Sequence, residues 1–100
     1  MNEEKNQQTP HNQLQIKATD EVLKGVYASA MQVLHTKQEF VLDFMNIFPP
    51  TGTLSARIIV SPAHLKQIIA VLEENLSKYE ASFGKVEASE TSTNTIGFQG

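Results

Sequence analysis

Residues 61–84 read SPAHLKQIIAVLEENLSKYEASFG, and both ends of a helix are written into them. The hydroxyl of Ser61 can accept a hydrogen bond from an orphan N–H of a first turn. Pro62 follows at the position where a missing N–H costs nothing. Leu65, Ile68, Ile69, Leu72, Leu76, Tyr79 and Phe83 recur at three- and four-residue steps, which places them on one stripe. Lys66, Gln67, Glu73, Glu74, Asn75, Ser77, Lys78 and Glu80 fall elsewhere, with Glu74 ahead of Lys78 in the orientation that favours an ion pair one turn apart. Gly84 suits the left-handed residue that ends many helices. At ~1.5 Å per residue the helix is about 33 Å long, the width of a small domain. Burying one stripe does not offset the entropy of ordering so long a backbone. A covering surface is therefore expected from upstream, where the remaining apolar residues lie.

Going backwards from Ser61, residues 54–60 alternate as a strand, with Ala56, Ile58 and Val60 on one face and Ser55, Arg57 and Ile59 on the other. Pro49-Pro50-Thr51-Gly52-Thr53 is expected to turn, because prolines cannot donate to a ladder. Residues 40–48 are the clearest strand, with Phe40, Leu42, Phe44 and Phe48 on one side and Val41, Asp43, Met45 and Ile47 on the other. Thr36-Lys37-Gln38-Glu39 reads as a polar turn. Residues 20–36 fit two patterns: a helix capped by Asp20 with Val22, Leu23, Val26, Tyr27, Ala30, Met31 and Leu34 on one side, or a strand starting near Val26. Gly25 and the β-branched and aromatic residues after it favour the strand. Residues 14–18 alternate as a short edge strand, followed by a turn at Thr19-Asp20-Glu21.

The expected fold is α+β: an antiparallel meander of three to four strands, then one long amphipathic helix packed on one face. A chain of 100 residues with 40% hydrophobic content bounds this to one domain. Its expected limits are residues 14–84, with polar tails at 1–13 and 85–100 that lack the apolar content to order. Within the second tail, Ile96-Gly97-Phe98 is the one segment suited to docking. The first tail has no apolar run, so neither a signal peptide nor a membrane anchor is expected.

One sheet face, with Tyr27, Met31, Val33, Phe40, Leu42, Phe44, Ile58 and Val60, is available to receive the helix. The opposite face carries Val26, Ala28, Ala30, Leu34, Val41, Met45, Ile47 and Ile59, interrupted by Gln32, Asp43 and Arg57. No second helix is in sight to cover it, and large exposed apolar patches usually mark an interaction surface. A homo-oligomer is therefore expected, most simply a two-fold dimer, formed through this face or by edge-strand pairing. Asp43 and Arg57 fall on adjacent strands as a cross-strand pair. The stiff loop Phe48-Pro49-Pro50-Thr51 is a candidate contact for a partner protein.

Chemistry is scarce. The chain has no cysteine, which excludes thiolate chemistry and disulfides and fits a reducing, cytoplasmic setting. His11, His35 and His64 lack the spacing that would present two imidazoles to one metal. Ser61 stands at a strand-to-helix junction, but Pro62 removes the N–H an oxyanion hole would use there. Gly25 and Gly52 are isolated, so there is no phosphate-cradling loop. The net charge is −3 and the basic residues are scattered, which argues against a nucleic-acid surface. No enzyme activity, cofactor or metal is expected.

Gly25-Val26-Tyr27-Ala28, His35-Thr36-Lys37-Gln38-Glu39-Phe40-Val41-Leu42-Asp43-Phe44, Phe48-Pro49-Pro50, Ser61-Pro62-Ala63-His64, Lys78-Tyr79-Glu80 and Phe83-Gly84 occur in that order. Across residues 14–84 the chain resembles a family of small bacterial and archaeal proteins catalogued as domain of unknown function 3467. The resemblance implies extended structure over residues 25–36 and implies no activity. In outline, a meander followed by a long helix is also similar to the export chaperone SecB, as topology alone. The function expected is a homo-oligomeric protein-interaction or scaffold module, with a chaperone-like role among its forms. The alternative is a nucleic-acid-binding or regulatory accessory protein, using Lys37, Arg57, Lys66 and Lys78.

Overall fold

The computed structural model describes residues 13–88. Its elements are a short helix α1 (Asp20–Lys24), strands β1 (Ala30–His35), β2 (Phe40–Phe48) and β3 (Thr51–Val60), and a long helix α2 (Pro62–Phe83). The strands form one sheet in the order β1-β2-β3, so β2 is central and has a neighbour on each side. Of the described residues, 13–33 with 42–58 form one compact unit, and 34–41 with 59–88 form another. The three-stranded meander followed by a helix agrees with the α+β expectation. The tail readings at residues 1–12 and 89–100, including Ile96-Gly97-Phe98, lie outside the described residues.

Local chemistry explains the element ends. Ser61 Oγ accepts from His64 N at 3.1 Å, Pro62 occupies the first turn, and Gly84 at φ 95° donates to Glu80 O at 2.9 Å. Both termini of α2 thus satisfy backbone groups that the helix itself leaves open. A positive φ suits glycine because it has no Cβ to clash. Lys78 Nζ stands 3.4 Å from Glu74 on the helix surface, as the spacing predicts. The polar turn between β1 and β2 closes with Thr36 N donating to Glu39 O at 2.9 Å. Thr36 Oγ1 there accepts from Gln38 N and Glu39 N.

Four expectations are corrected. Residues 14–18 form no strand: Leu14 and Ile16 are 87% and 85% exposed, and two apolar residues bury too little to order a strand. Thr19-Asp20-Glu21 is the start of α1 rather than a turn. Thr19 Oγ1 accepts from Val22 N at 3.2 Å, and the acidic residues complement the helix N-terminus. Gly25, at φ 76°, then ends α1, so the helical and extended readings of residues 20–36 each hold for part of the stretch, and the strand starts at Ala30 rather than near Val26. The second turn is tighter than expected. It is confined to Pro49-Pro50, joined by a cis peptide bond, and Thr51 Oγ1 donates to Phe48 O at 3.3 Å. Strand β3 therefore resumes at Thr51, with Gly52 so close to Ile47 that a Cβ would lie 3.3 Å from Ile47 Cγ1.

Among the described residues the buried apolar side chains are Leu42 and Met45, at 5% and 3% exposure. They sit three apart on β2, so alternation puts them on opposite faces of the sheet. Leu65 and Ile68, early in α2, are half-buried. Beyond them the stripe is open to solvent, with Ile69 at 48%, Leu72 at 63% and Phe83 at 76%. Among the described residues the stripe is thus exposed from Ile69 onward.

The capping geometry predicts the size of one effect. Ser61→Ala should lower stability by about 1 kcal/mol, the usual value of an N-cap hydroxyl. Urea unfolding of both chains at one fixed protein concentration checks it; equal midpoints would show that the cap contributes nothing.

Candidate functional site

Chain alternation on β2 and β3 predicts that Asp43 and Arg57 share a face, and the side chains meet there. Arg57 Nε donates to Asp43 Oδ1 and a second guanidinium nitrogen donates to Oδ2, both at 2.7 Å. This two-pronged geometry is the strongest arrangement a carboxylate and a guanidinium can adopt. Asp43 is fully buried while the Arg57 side chain is 45% exposed. An ordinary surface pair would leave both ends in water. Here the carboxylate is closed off and the cation is its bridge to solvent, because the long arginine stem lets the head reach outward.

A crossing of the backbone lies over the same unit. Ser29 N donates to Met45 O at 2.8 Å, and Ser29 Oγ accepts from Ile47 N at 3.1 Å, which ties Ser29 to β2. Two residues earlier, Tyr27 O accepts from Ser55 Oγ of β3 at 3.2 Å. Since β1 and β3 flank β2 on opposite sides, the chain entering β1 has passed across the central strand. Three hydroxyl and backbone donors hold that crossing. Tyr27 itself is 75% exposed at its start.

The residues expected at an oligomer interface fare differently from one another. Val26, Leu34 and Ile59 are 68%, 48% and 54% exposed. Ala28, Ala30, Val41 and Ile47 are half-buried, and Met45 is already shut away within its own chain. In the Phe48-Pro49-Pro50-Thr51 loop Phe48 projects at 71% exposure. The open stripe of α2 is a surface that the sequence reading assigns to internal cover. Its exposure depends on what the rest of the chain leaves uncovered, which no spacing rule reports.

The Arg57 hydrogen bonds hold the Asp43 carboxyl below its ordinary value near 3.8, against the upward push of desolvation, and the nearby charge of Arg57 adds to the lowering. Arg57 is raised in turn by the same bonds and then by the charge of Asp43. The ring of His35 lies 5.4 Å from that of Phe40, and His64 Nδ1 is 3.1 Å from Gln67 Oε1. Among the described residues no group of three His, Cys, Asp or Glu could hold a metal, and no helix is long and apolar enough to cross a membrane.

The chain belongs to the family described as protein of unknown function (DUF3467), whose model matches residues 1–88. The match begins ahead of the 14–84 span that carries the motif resemblance. No curated protein and no solved structure matches the chain, and a similarity to SecB is not shown.

The ion pair has a pH signature. A carboxylate whose pKa is depressed on folding stabilises the fold above its unfolded value, and that contribution fades as pH falls through the folded value. Asp43→Asn should therefore be less stable than the parent at pH 7, with the gap closing as pH drops below about 4. Paired denaturation curves at pH 7 and pH 3 test this. A gap that stays constant across that range would show that the charge of Asp43 is not what stabilises.

Proposed function

We propose that this family member is a homo-oligomeric protein-interaction module, in which further copies of the chain, and then a partner protein, cover surface that one copy leaves open. One observation carries the reading: among the described residues the buried apolar side chains are Leu42 and Met45, while Val26, Tyr27, Phe48, Leu72 and Phe83 are each more than half exposed. Ordering a backbone costs about 1–2 kcal/mol per residue, and a small chain offsets this chiefly by removing apolar area from water. Two core residues supply little of that. Association supplies the remainder, as in obligate dimers whose stability is inseparable from chain concentration.

The proposed role is binding without chemistry. The Phe48-Pro49-Pro50-Thr51 loop supports a partner contact, because a stiff turn presents Phe48 at low entropic cost. A nucleic-acid role gains less support, since two of its four proposed cations are engaged by carboxylates: Arg57 by Asp43 and Lys78 by Glu74. A cytoplasmic site is part of the proposal, on the ground that the chain carries no cysteine.

Sedimentation at micromolar concentration should give a mass of at least twice the 11.1 kDa of one chain. The urea midpoint should also rise with protein concentration. A cooperatively folded monomer with a concentration-independent midpoint would overturn the reading.

A further inference from the structure

Within the stripe of α2, Leu65, Ile69, Leu72, Leu76, Tyr79 and Phe83 follow one another at steps of four, three, four, three and four. That is narrower than an ordinary amphipathic face. It is the two-position seam of a coiled coil, which keeps facing a partner helix along its whole length. Leu65 is half-buried by its own chain. The five residues after it are open: Ile69 at 48%, Leu72 at 63%, Leu76 at 50%, Tyr79 at 52% and Phe83 at 76%.

We infer that this open seam is where a second copy of the chain docks, its α2 antiparallel to the first and Leu76 on the two-fold axis. The inference rests on the oligomeric reading above and names its surface. The five open residues are almost symmetric about Leu76. Ile69 lies seven residues before it and Phe83 seven after, while Leu72 lies four before and Tyr79 three after. An antiparallel pair centred there sets Ile69 against the second copy's Phe83 and Leu72 against its Tyr79. Each aromatic ring meets an aliphatic side chain, and the self-complementary patch that a two-fold interface requires is present on one helix. A parallel pair would stack ring on ring and align the two helix dipoles, whereas the antiparallel pair opposes them.

The area is sufficient. With aromatic side chains burying roughly 150–250 Å² each, and three aliphatic ones about half open beside them, one seam offers on the order of 500 Å². Two such seams remove about 1,000 Å² together, the size at which a specific interface becomes stable. Along the flanks, the Glu74–Lys78 pair is satisfied within its own helix, and the Glu80 carboxylate accepts from Val86 N at 2.9 Å, bound back onto its own chain. The C-terminal half of the seam further gains from the Tyr79 and Phe83 rings, which already lie 4.9 Å apart and present one continuous apolar surface.

The absence of cysteine makes the geometry directly testable. Leu76→Cys should give a covalent dimer under mild oxidation, while Ile69→Cys and Phe83→Cys should each stay uncrosslinked alone and crosslink when the two are mixed. Leu76→Glu, placed on a half-open surface, should weaken association at least about a hundred-fold by sedimentation, since an acidic residue would meet its own copy at the centre of the interface. Ser77→Glu, on α2 outside the seam, should leave association intact. Crosslinking by Ile69→Cys alone and by Phe83→Cys alone would mean parallel helices and overturn the inference. So would an oligomer that Leu76→Glu leaves unchanged and Leu76→Cys does not crosslink, an outcome in which the oligomeric reading survives on another surface. Crosslinking through Leu76→Cys that appears in a chain ending at Ala88 but not in the full chain would assign the seam to residues 89–100 instead and overturn the inference. A wild-type chain that sediments as a monomer would remove both readings together.

Discussion

A folded chain must remove enough apolar surface from water to offset the entropy of holding one backbone, and this chain does so with very little inside. Leu42 and Met45, one on each face of the central strand, are the buried apolar side chains among the described residues. Other side chains carry the apolar character of a core without its full burial: Val33 and Ile58 on the strands, Leu72 and Phe83 on the helix. The hydrophobic term scales with area removed from water, so residues of this kind stabilise only in proportion to the part of them that is covered. The apolar surface left open is what the proposed association would cover.

Among the described residues, the one polar side chain taken fully out of water is treated with more care than the apolar ones. Asp43 meets Arg57 through two short bonds at the middle of the sheet, and the backbone from Tyr27 to Ser29 passes over the same strand. A buried carboxylate without its partner would be costly, so the pair specifies which residues of β2 and β3 lie side by side. A one-residue slip of β3 would move Arg57 to the other face and leave Asp43 alone. The pair thus fixes register in a sheet whose sparse core specifies register weakly.

Much of the architecture is legible from residue order because it is decided locally. Ser61, Pro62 and Gly84 bound α2 through hydrogen bonds within a few residues of themselves, and Thr36 closes its turn in the same way. The alternation of residues 40–48 is enough to place a strand, since period two has no helical rival there. Where two periods compete, as at residues 20–36, sequence favours one answer for a stretch that the structure divides at Gly25. The alternation at Leu14 and Ile16 carries no strand at all, because a pattern without a buried neighbour has nothing to hold it.

Sequence by itself determined the α+β class, the ends of the long helix, the central strand and the shared face of Asp43 and Arg57, each through spacing or capping that acts over a few residues. Tertiary structure alone decided that Asp43 is fully buried, that the chain reaches β1 by passing from β3 across β2, and that the helix stripe is open from Ile69 onward among the described residues. The reason is that periodicity tells which side chains share a face, whereas exposure depends on what distant segments happen to lie over it. A stripe spaced to face a sheet and one spaced to face a second helix differ by a single residue in seven, and only coordinates reveal which of them the chain has left uncovered.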